Sequence, residues 1–145
     1  MAPKNKISVF IDTNWWISAS INAKSRKKIY TLLKQDKIEI LYTNKLLKKY
    51  FNVISIKGFR HIISLDQAEK FIRFVIPRLT QLKDADLQKP NIEIRDPKDI
   101  YIFAAIMENH VDYLITGDED LLSLKEIGKT KIVTMSWFFD SLISK

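Results

Sequence analysis

"SVFIDTNWWI", residues 8–17, is an apolar run that stops at Asp12, admits Thr13 and Asn14, and resumes with two tryptophans. Its first part together with the preceding Ile7, ISVFI (7–11), has the β-branched character and the sharp polar boundary of a strand. IEILY (38–42), DYLI (112–115) and KIVT (131–134) read the same way. Each is nearly all apolar, as strands are when helices cover both faces of the sheet. The expected fold is therefore α/β, a three-layer α/β/α arrangement around a central parallel sheet of four to five strands.

Helical patterns fill the intervals. Ile29, Leu32 and Leu33 form one apolar stripe, and Leu46, Leu47, Tyr50, Val53 and Ile54 form another behind a candidate N-cap at Thr43. Asp66 with Glu69 resembles an N-terminal capping pair for QAEKFIRFVI, which Pro77 should end or kink. KDADLQKPN (83–91) reads as a polar loop. RDPKD (95–99) opens the most apolar helix, IYIFAAIM, and Ser136 is placed as the cap of the last one, WFFDSLI. With 145 residues and no internal repeat, residues 1–145 are expected to form a single domain.

The chain has no cysteine, which excludes disulfides and thiolate metal sites, and its two histidines, His61 and His110, cannot form a histidine cage. Only five apolar residues precede Asp12 after the basic N-terminus, too few for a signal-peptide core or a membrane span. A cytoplasmic location without membrane attachment is the expectation. Lys and Arg number 24 against 17 Asp and Glu, a formal charge of +7 that favours an anionic partner. The basic residues gather at Lys24, Arg26, Lys27 and Lys28, and again at Lys45, Lys48 and Lys49. A solvated helix face accounts for either group; a nucleic-acid backbone is the sharper reading.

Parallel α/β sheets bind ligands beyond the carboxyl ends of their strands. Asp12 ends the first strand there, and TGDEDLL (116–122) puts Thr116, Asp118 and Asp120 on the same edge, with Gly117 expected to let the backbone turn tightly. Each acid has a local explanation. Asp12 suits a turn, Asp118 can cap a short helix, Asp120 can be exposed, and Asp96 can cap the helix that Pro97 begins. Asp99 is harder to explain locally, because helical spacing puts it on the stripe of Ile102, Phe103 and Ile106, where an unpaired charge is expensive. Acids collected on one edge of a basic chain suit hard, oxygen-preferring cations such as Mg²⁺ or Mn²⁺.

FIDTN, RDPKDIYIFAA, DYLITGDEDLL and KIVTMSWF, in that order and spacing, resemble the PIN-domain ribonucleases, in particular the single-domain toxins of prokaryotic toxin–antitoxin pairs. The resemblance spans nearly the whole chain. It implies a PIN-like, Rossmann-like fold and an acidic metal site of Asp12, Asp99 and Asp118, assisted by Asp120 or Asp96, with Asn14 and Thr116 as polar neighbours. It further implies an RNA substrate, a homodimer and an antitoxin partner. One residue departs from the pattern. The family usually carries a glutamate on the helix after the second strand, where this chain has Lys49, and no acid occurs anywhere from Thr43 to Phe59.

The expected activity is divalent-metal-dependent cleavage of single-stranded RNA, with the basic clusters on the backbone and Trp15 or Trp16 available to stack a base. At least one tryptophan should be buried, since neighbours on a helix face different ways. The alternative, raised by Lys49, is a weakened or inactive PIN-like module that binds RNA or protein without cutting. A phosphotransferase using Asp12 as nucleophile is disfavoured, because Asn14 stands where the second carboxylate of that chemistry is wanted.

Overall fold

The computed structural model describes residues 6–56, 65–82 and 100–143. Asp96, Asp99, the polar loop 83–91 and the start of the helix that RDPKD opens lie outside them.

The chain runs β1 (Ile7–Ile11), α1 (Thr13–Ile21), α2 (Ala23–Leu33), β2 (Ile38–Tyr42), α3 (Asn44–Ile54), α4 (Leu65–Val75), β3 (Thr80–Gln81), α5 (Ile100–Asn109), β4 (Tyr113–Ile115), α6 (Glu119–Leu124), β5 (Glu126–Ile127), β6 (Thr130–Val133) and α7 (Met135–Phe138), and ends in a π-helical turn, Phe139–Ile143. The strand order is β3-β2-β1-β4-β6-β5, with helices on both sides. All neighbours are parallel except β5 and β6. The expected α/β/α layering holds, but among the described residues the sheet has six strands and one antiparallel edge. Both additions are two-residue edge strands, too short to leave a periodic pattern. β5 turns back into β6 through Gly128, whose φ of +58° is the left-handed geometry that a tight hairpin needs.

Val9, Phe10, Ile11, Leu114 and Ile115 are inaccessible to solvent, as the apolar strand sequences require. Ser8 is equally buried, and its N–H and hydroxyl both donate to Asp112 Oδ2, at 2.9 and 3.1 Å. That pairing fixes the start of β4 against β1. Thr43 caps α3 as expected, its hydroxyl accepting from the Leu46 N–H at 3.1 Å. Pro77 ends α4 in a 3₁₀ turn, Ile76–Arg78.

Two expected caps fall elsewhere. β6 leaves the sheet after Val133, so Thr134, not Ser136, is the first residue free to cap α7, and it accepts from the Trp137 N–H at 3.0 Å. Asp66 and Glu69 lie within α4 and pair one turn on with Lys70 and Arg73, as exposed i,i+4 ion pairs. Among the described residues no helix is long and apolar enough to cross a membrane.

The strand order also locates a crevice. From β1 the chain builds outward through β2 to β3, then returns to lay β4 on the other side of β1. The order reverses between β1 and β4, and at such a point the connecting loops diverge and leave room for a ligand.

Candidate active site

Asp12 stands at that reversal. Its N–H donates to the Ile115 carbonyl at 3.0 Å, carrying the β1–β4 pairing one residue beyond the strand. Asp12 occupies the N-cap position of α1, yet its side chain makes no capping bond. The carboxylate, 5% exposed, turns instead to Thr116, whose hydroxyl donates to Asp12 Oδ2 at 2.8 Å. The Thr116 oxygen also accepts the Asp118 N–H at 3.1 Å. One fully buried hydroxyl thus ties together the two acid-bearing loops.

Burial pushes the Asp12 carboxyl above its ordinary value of 3.8. The Thr116 hydroxyl, the Lys49 ammonium and the Thr13 backbone N–H oppose the rise, while the charge of Asp118 adds to it. A carboxylate kept ionised here would be stabilised by further positive charge.

Asp118 is half-buried and caps α6, with Oδ1 accepting from the Asp120 N–H at 2.9 Å. The local explanation of Asp118 therefore holds, and it coexists with a position beside Asp12. Asp120 and Asn14 are exposed. Asp96 and Asp99, the other expected acids, lie outside the described residues. Among the described residues no three acidic or histidine side chains come together as a metal site.

A cleft of about 370 Å³ opens beside the acids, lined by Asn14, Trp15, Ser18, Gly117 and Asp118. Trp16 is buried, its Nε1 donating to the Ile11 carbonyl at 3.1 Å, so Trp15 is the tryptophan that reaches the cleft. Ser18 is an addition to the expected set. Its spacing of four residues from Asn14 on α1 is the signal that could have found it. The Thr116 hydroxyl accepts the Asp118 N–H across Gly117, and that glycine's φ is not in the positive region, which among the described glycines Gly128 alone adopts.

The basic residues divide. Lys49, half-buried on α3, acts electrostatically on Asp12, so the departure from the family pattern sits at the acidic edge. Lys45 precedes it by one helical turn, and Lys48 is exposed. On α2, Lys24 and Lys27 are exposed, and Lys28 stands 6.0 Å from the Phe139 ring centroid. Arg26 is engaged in the fold. Its Nε donates to the Ala19 carbonyl at 2.9 Å and an Nη to that of Ser20 at 3.3 Å, satisfying the last turn of α1.

Comparison with known proteins is consistent with this architecture. A family model of the PIN domain matches residues 8–120. The crystal structure of PAE2754 from Pyrobaculum aerophilum has a similar fold, with a TM-score of 0.65 at 16% identity over 96% of this chain and 91% of that one. That of VapBC2 from Rickettsia felis, bound to a DNA fragment from their promoter, gives 0.58 at 15% identity over 87% and 97%. No curated protein matches the sequence.

The buried Asp12 has a measurable consequence. A carboxyl whose folded-state pKa exceeds its unfolded value costs stability as pH rises between the two, and the cost is complete above the folded pKa. Asn has nearly the same shape, can accept the Thr116 hydroxyl and carries no charge. In metal-free buffer, Asp12→Asn is expected to melt higher than the parent chain at neutral pH, with the difference shrinking as pH falls toward 3.8. Scanning calorimetry across pH checks this; a variant that melts lower at neutral pH contradicts it.

Proposed function

Because the chain belongs to the PIN-domain family, whose members are generally nucleases dependent on divalent metal, we propose that it is a Mg²⁺- or Mn²⁺-dependent endoribonuclease that cuts single-stranded RNA, working in the cytoplasm as the toxin of a toxin–antitoxin pair. The observation that carries this reading is the Thr116 hydroxyl, which ties the Asp12 carboxylate to the loop of Asp118, a residue that lines a cleft.

The donor chemistry fits such a metal. Carboxylate, amide and hydroxyl oxygens gather at one edge, and the most buried carboxylate carries a desolvation cost that a cation would offset. Asp12 and Asp118, with Asp99, would hold the ion, Asp120 assisting; Asn14, Thr116 and Asp96 are the polar neighbours. When bound, it would supply charge for the scissile phosphate and acidify the attacking water.

The protein's own groups do the remaining work. Thr116 fixes the orientation of Asp12 through Oδ2. The capping bond from the Asp120 N–H fixes Asp118. In this reading Lys24, Lys27, Lys28, Lys45 and Lys48 would hold the RNA backbone. Arg26 leaves this set, since its guanidinium is committed to α1. An antitoxin partner, suggested by the VapBC2 neighbour, and a homodimeric toxin belong to the same reading.

Asp12→Asn is expected to reduce Mn²⁺-dependent cleavage of single-stranded RNA by at least about a hundredfold, and chelation of the metal to abolish it, the scale on which removing a transition-state electrostatic group acts. Equal cleavage by parent and variant would assign the activity to a contaminant.

Lys49 supports a second reading, a module that binds RNA with little or no cutting, because its ammonium acts where the family places a carboxylate. Two substitutions separate the readings. If Lys49 neutralises the substrate phosphate within an active site, Lys49→Ala and Lys49→Glu both lose cleavage. If it only repels the metal, Lys49→Glu binds Mn²⁺ more tightly in calorimetric titration and gains cleavage. No change in either quantity for either variant would contradict a role for Lys49 at the site.

A further inference from the structure

Gly117 is a glycine for which the fold gives no reason. Its backbone does not adopt the left-handed conformation that favours glycine, and a Cβ added to it would meet nothing within 4 Å. What it does is line the cleft, together with Asn14, Trp15, Ser18 and Asp118. A side chain at position 117 would therefore enter space that the protein leaves empty.

Trp15 is the other unusual lining group. Trp16 shows what the fold requires of this pair, being buried with its indole N–H bonded to Ile11. Trp15, one residue earlier, is only partly packed against the core and turns the rest of its surface to the cleft. An indole that is only partly buried where it lines a cleft, beside an open backbone, suits a planar partner.

Charge and size narrow the partner. Among the described residues the lining includes one carboxylate and no cation, a charge that disfavours a phosphate and leaves an uncharged group preferred. About 370 Å³ lies at the lower end of small-molecule sites, roughly 300–1,000 Å³, and suits one nucleoside-sized group, not a duplex. Asn14, exposed at the rim, and Ser18, whose hydroxyl is held 2.9 Å from that of Ser25, offer polar atoms to the edge of such a ring.

We infer that the Trp15–Gly117 cleft is a nucleobase subsite, in which one unpaired base next to the cleaved phosphate stacks on the Trp15 indole in the space that glycine at position 117 keeps open. This rests on the nuclease reading for the identity of the ligand as RNA. It adds the requirement that the substrate be unpaired at that nucleotide, because a base within a helix cannot be presented flat to an indole.

The test compares two probes in EDTA, a fluorescently labelled single-stranded hexauridylate and a hexamer of the same backbone with every base removed. Fluorescence anisotropy should show the native chain preferring the base-bearing probe by between about fivefold and a hundredfold, the range of one base–aromatic stack. The preference should collapse toward one in Trp15→Ala and in Gly117→Leu and persist in part in Trp15→Phe, while affinity for the abasic probe stays the same in all. Gly117→Leu guards against a folding artefact, because its Cβ has room and its melting temperature should match the parent's. No preference in the native chain, or a preference untouched by both Trp15→Ala and Gly117→Leu, overturns the subsite. If those variants abolish the preference but the native chain shows no Asp12-dependent cleavage with Mn²⁺, the subsite stands and the nuclease reading falls.

Discussion

A single buried hydroxyl organises this molecule's acidic edge. Thr116 Oγ1 donates a hydrogen bond to Asp12 and accepts one from the Asp118 backbone N–H, which couples the end of β1 to the loop after β4. The arrangement is costly in isolation, since a carboxylate 5% exposed loses much of its hydration and stands near a second negative charge. Lys49 and the Thr116 hydroxyl compensate in part. In the proposed reading a bound cation would offset the remaining cost, which burial imposes on a charge at position 12.

The rest of the architecture serves that junction. Returning β4 to the side of β1 opposite β2 places the two strand ends side by side while sending their connections apart. Ser8 and Asp112 fix the far end of the same strand pair, and Arg26 secures the last turn of α1, the helix that carries Asn14, Trp15 and Ser18 along the cleft. An arginine that could have served substrate binding is used to hold the wall of the cleft in place.

Much of this is legible in the sequence because it depends on local or periodic signals. The four longer strands, the Thr43 cap, the burial of one of two adjacent tryptophans, and the convergence of Asp12, Thr116 and Asp118 follow from apolar runs, capping chemistry and the strand-end rule. What is not legible depends on tertiary geometry. Thr134 and Ser136 are equally able to cap, and only the residue at which β6 leaves the sheet decides between them. Arg26 reads as a surface charge until the path of α1 brings two terminal carbonyls to it. Gly117 reads as a turn residue, and no sequence signal marks the open space beside it, where a Cβ would meet nothing within 4 Å. Ser18 carries a usable signal in its helical spacing from Asn14.

If the Thr116 hydroxyl makes two separate acids into one cation-binding site, Mn²⁺ calorimetry on hydroxyl variants tests that role most directly. Thr116→Val keeps the shape of the side chain and removes the bonds to Asp12 and Asp118, while Thr116→Ser keeps them. Val is predicted to weaken Mn²⁺ binding by about tenfold or more, the scale of a hydrogen bond to a charged group, and Ser to stay near the parent value. Equal Mn²⁺ affinity in the parent and Thr116→Val, with both chains folded, would contradict the role assigned to Thr116.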